Sequence, residues 1–202
     1  RALSPSPLRQ ARPTPPQLRP TIPTWAVMTV ERIDHVQRVA ALIAEWAESM
    51  GVPDSERNRW LRAAWLHDAL RDAPPEELTR WASTAPGPMA LLHGPASAAR
   101  AKAEGEVDRG VLDAVRYHSV GLAESDMVGR VLYCADFLDP GRSFEPERRA
   151  ALAQRLPKDL TGVLREIAAL RMGHIIRSGW PIPEPTFRFW NSLCAHESRA
   201  SD

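Results

Sequence analysis

The sequence predicts an all-α fold, and three observations carry that prediction. From Thr29 onward apolar residues recur at helical spacing almost throughout. The interruptions are glycine and proline stops of the kind that end helices. No stretch alternates apolar and polar residues as a half-buried strand does.

Each element can be justified in turn. Thr29 is placed to cap a helix running to about Met50, where Gly51 and Pro53 stop it. Ile33, Val36, Ala40, Ile43 and Ala47 form its apolar stripe, and His35 stands beside that stripe in line with Val39, Leu42 and Trp46. A second helix starts near Asp54, whose carboxylate is read as its cap, and carries Trp60, Leu61, Ala64, Trp65 and Leu66 into His67-Asp68. Pro74-Pro75 closes it, a short helix follows over 76–81, and Pro86-Gly87-Pro88 reads as a loop. His93-Gly94-Pro95 opens the next helix with proline in its first turn. Asp108 caps a helix through Val111, Leu112 and Val115 to His118, with Gly121 at its end. Ser125 is read as the cap of another, running to Leu138 and stopped by Pro140-Gly141. Helices near 145–156, 159–178 and 186–196 complete the body.

Composition bounds the function. The chain of 202 residues is 44% hydrophobic and has a mean hydropathy of -0.33, as expected of a water-soluble protein with a real core. A net charge of +1 gives no broad pull toward nucleic acid or a membrane surface, and no apolar run approaches the roughly 18 residues needed to span a bilayer. Two cysteines, Cys134 and Cys194, make no disulfide framework and suit a reducing cytoplasm. Only Lys102 and Lys158 are lysines, so the arginine bias reflects overall composition more than an arginine-based function. Residues 1–28 hold seven prolines, from Pro5 to Pro23, with few large apolar side chains; they read as a disordered tail, with Met28 a candidate translation start. The domain is then expected over 29–196, with a frayed end over 197–202.

Six residues carry the chemistry: His35, the pair His67-Asp68, His93, His118 and Asp136. Imidazole and carboxylate are the ligands that hold borderline transition metals while leaving a position for water. Successive helical residues point about 100° apart, so His67 and Asp68 can both reach a centre lying over their shared edge. His35, His67, Asp68 and Asp136 make one plausible metal site, and His93 and His118 supply ligands for a second ion beside it. Two ions about 3.5–4 Å apart can bind a phosphate, activate a water and stabilise the leaving oxygen. His174, one turn after Leu170, reads as a packed helix histidine, and His196 as inert near the end of the chain. Trp46, Trp60 and Trp65 read as core; of the seven tryptophans, Trp81 is the best placed to stack on a base.

The order histidine, His-Asp, aspartate resembles that of the HD-domain metal-dependent phosphohydrolases. The segments Trp65-Leu66-His67-Asp68-Ala69-Leu70-Arg71, His93-Gly94, Tyr117-His118-Ser119-Val120-Gly121 and Tyr133-Cys134-Ala135-Asp136-Phe137-Leu138-Asp139-Pro140-Gly141-Arg142 are similar to the YqeK-like branch, the symmetrical diadenosine tetraphosphate hydrolases. The ending Ile182-Pro183-Glu184-Pro185-Thr186, then Asn191-Ser192-Leu193, is similar to that branch as well, and the likeness covers roughly residues 29–195. It implies a helical HD domain with two metal ions, Asp68 shared between them, the first held by His35, His67, Asp68 and Asp136 and the second completed by His93 and His118. Iron is the usual metal of the branch, while imidazole-rich sites also accept manganese, cobalt or zinc. The implied substrate is a dinucleoside polyphosphate, cut at its centre into two ADP.

The same comparison assigns the surroundings. Arg142, just after a Pro-Gly stop, is suited to reach a polyphosphate through its bidentate fork. Arg71 stands where the branch more often has lysine; a catalytic proton transfer by that lysine would be lost here, whereas phosphate holding would be kept. Ser119 keeps the hydroxyl of the more usual threonine, and Asp139 replaces a commoner glutamate. Asp68 and Arg71 are thus the expected catalytic residues, and Arg71, Ser119 and Arg142 the expected substrate contacts. The competing readings are an HD enzyme acting on nucleoside mono- or triphosphates and a non-catalytic HD module that senses nucleotide. A homodimer is compatible with the sequence.

Overall fold

Thr29 starts the first long helix as its sequence requires, its hydroxyl accepting the backbone N–H of Arg32 at 3.3 Å. The computed structural model describes residues 21–198 apart from 83, 84 and 86, and within these it contains nine α-helices, a short 3-10 turn and no strand. They are α1 (Val30–Ser49), α2 (Asp54–Leu66), α3 (Pro75–Ala82), the 3-10 turn Met89–Leu91, α4 (His93–Ala103), α5 (Arg109–Tyr117), α6 (Met127–Leu138), α7 (Pro146–Arg155), α8 (Leu160–Arg177) and α9 (Glu184–Ser198). The all-α expectation holds. The reading of residues 1–20 as a disordered tail, Pro86 of the Pro-Gly-Pro loop, the side chain of His196 and the end of the chain from 199 lie outside the described residues.

Helix α6 is the centre of the bundle, buried continuously from Val131 to Asp139. It packs against α1, α2, α5, α7 and α8, while α4 lies between α3 and α5. Val39, Ile43, Trp46, Trp60, Val111, Leu132, Ile167 and Phe189 share the main core. Trp46 also joins helices, its indole N–H donating to the Ala153 carbonyl at 3.0 Å. A smaller cluster gathers Leu70, Leu78 and Ala96, with Trp25, Val27 and Trp81 against it.

Several boundaries move. Asp54 is the first helical residue of α2 and not its cap; Pro53 occupies the cap position, and Asp54 adds charge to the first turn. Asp126, not Ser125, caps α6 by accepting from the Gly129 N–H at 3.3 Å. Helix α9 starts two residues earlier and runs two further than expected, to Ser198, since Glu184-Pro185 is a favourable helix opening. The ordered body also reaches upstream of the expected limit at residue 28. Val27 donates to the Ala69 carbonyl at 2.8 Å and accepts from the Asp72 N–H at 3.3 Å, a tie to the turn following the His67-Asp68 doublet. His174 is exposed, edge-on to Trp180, and not packed in the core.

Asp108 shows how the far end of the bundle is fixed. It caps α5 through the Val111 N–H at 3.2 Å and pairs with Arg59 at 2.6 Å. The Arg59 hydrogen bonds hold its carboxyl down to about 2. A carboxyl depressed in the folded state stabilises fully above its unfolded value near 3.9 and loses that contribution as pH falls through the folded one. Asp108→Asn keeps the cap and removes the charge. The gap in urea midpoint between wild type and D108N is therefore expected to be constant above pH 5 and to close between about pH 4 and 2. A gap independent of pH down to 2 contradicts this role.

Candidate metal centre

The expected ligands come to one place by way of helix ends. His35 projects from the second turn of α1. His67 is the C-cap of α2 and Asp68 lies in the turn beyond it. The doublet therefore sits on a turn, not on a continuing helix, and its two side chains gain freedom to face one point. His93 is the first residue of α4, His118 the C-cap of α5, and Asp136 lies in the last turn of α6. All six are buried, with exposures between 0% and 6%.

Asp68 divides the cluster. Its Oδ1 lies 3.3 Å from His93 Nε2 and 3.4 Å from His118 Nε2. Its Oδ2 lies 3.6 Å from His67 Nε2 and 3.7 Å from His35 Nε2. Asp136 Oδ1 joins the second group, 3.3 Å from His35 Nε2. The structure thus brings together two sets that could each hold a cation, His35-His67-Asp68 and Asp68-His93-His118, sharing one carboxylate.

The outward edges of the rings fix what the inward edges offer. His67 Nδ1 is 2.7 Å from the Ala64 carbonyl, His93 Nδ1 3.0 Å from Ala90 and His118 Nδ1 2.8 Å from Val115. Each of those carbonyls is three residues back, where a helix end leaves acceptors free. His35 Nδ1 instead meets the Asp139 carboxylate at 2.7 Å. An Nδ1–H donated outward leaves Nε2 as a bare lone pair pointing inward. Yet the Nε2 atoms of His93 and His118 are 3.1 Å apart, and those of His35 and His67 3.3 Å. Facing lone pairs at that separation need a cation or a proton between them, so the donor set fits transition-metal ions.

Electrostatics agree. Burial pushes His67 down to about 4, which keeps it neutral and ready to ligate. Burial also lowers His93. At His35, burial is outweighed by hydrogen bonds to Asp136 and Asp139, raising it to about 9. Cation binding there would exchange for a proton. Burial alone would raise Asp68, but the surrounding histidines hold it well below the carboxylate range, and His35 with Arg171 and Arg142 does the same for Asp136.

One glycine permits the second set. A Cβ added at Gly94 would lie 2.8 Å from the Arg116 carbonyl and 3.1 Å from that of Val115. Only a residue without a side chain lets the start of α4 meet the end of α5 this closely.

The expected substrate contacts border the same cluster. Ser119 Oγ is 3.0 Å from His118 Nε2. Arg142 donates to Asp136 Oδ1 at 2.7 Å with its side chain 38% exposed. Arg71 donates to the Ala90 carbonyl at 2.7 Å, the same acceptor that orients His93. Trp81 is less available for a base, since the Arg100 guanidinium lies 4.7 Å from its ring centre. Three residues went unrecognised in the sequence: Arg32, Arg38 and Arg171. Arg32 pairs with Asp68 Oδ2 at 2.7 Å, and Arg38 holds Asp139 at 2.6 Å. Arg32 precedes His35 by three residues, a spacing that places both on one helix face and could have disclosed it. Arg171 follows the buried Ile167 by one turn, the signature of a charge on a core-facing stripe.

An HD domain family model matches residues 32–141, a span containing all six cluster residues. The chain belongs to the HD-domain family. Over 175 residues this HD protein is 29% identical to the symmetrical bis(5'-nucleosyl)-tetraphosphatase of Bacillus subtilis, covering 82% of this chain and 91% of that one. It is 26% identical over 104 residues to the protein of the same name from Halalkalibacterium halodurans, covering 51% and 54% of the two chains. A crystal structure from Clostridium acetobutylicum, described as a predicted HD superfamily hydrolase involved in NAD metabolism, has the same fold, with a TM-score of 0.73 at 22% identity over 84% of this chain and 92% of that one. Among the described residues of this HD protein, no helix is long and apolar enough to cross a membrane.

Asp139 is the most informative partner of the cluster, because it is the carboxylate that meets the outward nitrogen of a cluster imidazole, His35 Nδ1. Asp139→Asn is expected to weaken metal binding about 10–100-fold, the usual cost of losing such a support. Metal titration of the stripped protein measures it, and wild-type affinity in D139N contradicts it.

Proposed function

We propose that this protein is a two-metal phosphohydrolase that cleaves diadenosine tetraphosphate symmetrically into two ADP. The observation that carries the reading is the Asp68 carboxylate, with one oxygen toward each histidine pair. The names of the two curated relatives support the choice of substrate. The ligands of the first ion are His35, His67, Asp68 and Asp136; those of the second are Asp68, His93 and His118. Iron is the proposed metal.

Bound ions supply positive charge to the phosphoryl oxygens and acidify a water. The chain's own residues do the remainder. Asp68 would help to hold both ions and is the residue on which catalysis most depends. Arg142 stands at the exposed edge, where its fork suits a polyphosphate. Arg71 binds phosphate by charge and hydrogen bonding and does not transfer a proton, since a guanidinium stays protonated. The Ser119 hydroxyl can accept or donate a hydrogen bond beside the second ion.

The test combines metal analysis of the purified protein with product identification from diadenosine tetraphosphate. Two metal ions per chain and ADP as the sole product are expected. ATP plus AMP would overturn central cutting, and a clear preference for dAMP or deoxynucleoside triphosphates would overturn the substrate. Metal without turnover of any phosphate ester would favour the sensing module.

A further inference from the structure

One side chain outside the ligand set reaches Asp136 on one side of the cluster and the turn after His118 on the other. Arg171 lies on α8, a helix that contributes no ligand and falls beyond the stretch matching the HD model. Its guanidinium is folded into the bundle, with the side chain 17% exposed. Nη2 donates to Asp136 Oδ2 at 2.7 Å and to the Tyr133 carbonyl at 3.4 Å. Nη1 donates to the Ser119 carbonyl at 3.1 Å, in the turn that follows His118. Its plane rests on aromatic rings, 4.5 Å from the centre of Tyr133 and 5.3 Å from that of Phe137.

These contacts make a poor device for stability. Withdrawing a guanidinium and a carboxylate from water carries a heavy desolvation cost, which their attraction repays only when every donor is matched. Here Nε is buried and finds no partner. The contacts do define geometry. Asp136 has its Oδ2 committed to Arg171, so only Oδ1, 3.3 Å from His35 Nε2, faces the cluster. The same rigid fork holds the backbone one residue after His118, a ligand of the other set. An ammonium could supply the charge but lacks the planar reach to two elements at once.

We infer that Arg171 is a positioning residue: it leaves one oxygen of Asp136 turned to the cluster and registers the His118–Ser119 turn against it, so that the two ligand sets are held in register and would take two neighbouring cations. This rests on the two-metal reading above.

The experiment uses the full chain stripped of metal and titrated with Mn²⁺, comparing wild type, Arg171→Met and Arg171→Lys. Bound manganese is counted, and electron paramagnetic resonance follows the magnetic coupling that only two neighbouring ions produce. Wild type is expected to bind two ions and to show coupling. R171M should bind the second ion about 10–100-fold more weakly and lose most of the coupled signal. R171K should restore part of the affinity without restoring the signal. A merely structural arginine lowers the melting temperature of the metal-free variants and leaves stoichiometry, affinity and coupling as in wild type; that result overturns the inference alone. If R171M does not fold, an unchanged coupled signal in R171K is enough to overturn it. Wild type binding fewer than two ions removes the two-metal reading and this inference with it.

Discussion

Under the proposed function, Asp68→Asn is expected to lower turnover of diadenosine tetraphosphate at least about 10³-fold, because losing even one stabiliser of transition-state charge costs 10²–10³. Asparagine has the shape of aspartate but lacks its charge, and one of its two polar atoms is a donor that cannot face a cation. Asp68 is the one residue common to both candidate sets among the described residues, so its loss damages both together. His93→Ala strikes only the second set and should leave a single, more weakly active ion. The measurements are kcat and metal content for the two variants against wild type. If D68N kept more than a tenth of wild-type kcat, the shared carboxylate would lose its place at the centre of the chemistry.

Trp46→Ala is expected to cost about 3–5 kcal/mol of unfolding free energy, the range for truncating a buried tryptophan. Its side chain is 1% exposed and crosses from α1 to the last turns of α7, where its N–H is matched. Trp60 is equally buried, but its N–H is satisfied by Glu56 in its own helix, 2.9 Å away. The Trp46 truncation therefore breaks a tie between elements as well as opening a cavity. Urea unfolding of the metal-free protein measures the loss without a contribution from ligand binding. A cost below about 1 kcal/mol would contradict its place in the central core.

Helices were legible because their signals are local. Thr29 and Asp108 cap α1 and α5 as their positions suggest. At Ser125-Asp126 two capable residues stand side by side, and the choice between them depends on packing; Ser125 is left with its hydroxyl buried and without a partner. The tie between Val27 and Ala69 spans more than forty residues, so nothing near Trp25 announces that the chain is already ordered there. The cluster residues were legible as a set of chemical types in order. What orients and balances them was not. Asp139 was visible as a carboxylate without its partner, and Arg171 waits on the packing of α8 against α6.

The way the imidazoles are anchored has a consequence for how such a centre can change over evolutionary time. Three rings are moored to main-chain oxygens, which every amino acid carries, so drift in the neighbouring side chains leaves their aim intact. The outward nitrogen of His35 is instead steered by a carboxylate, a replaceable group. Selection for a different ion, or for tighter or looser grip on the same one, thus finds its adjustable screw at residue 139, while the other three rings keep their bearings.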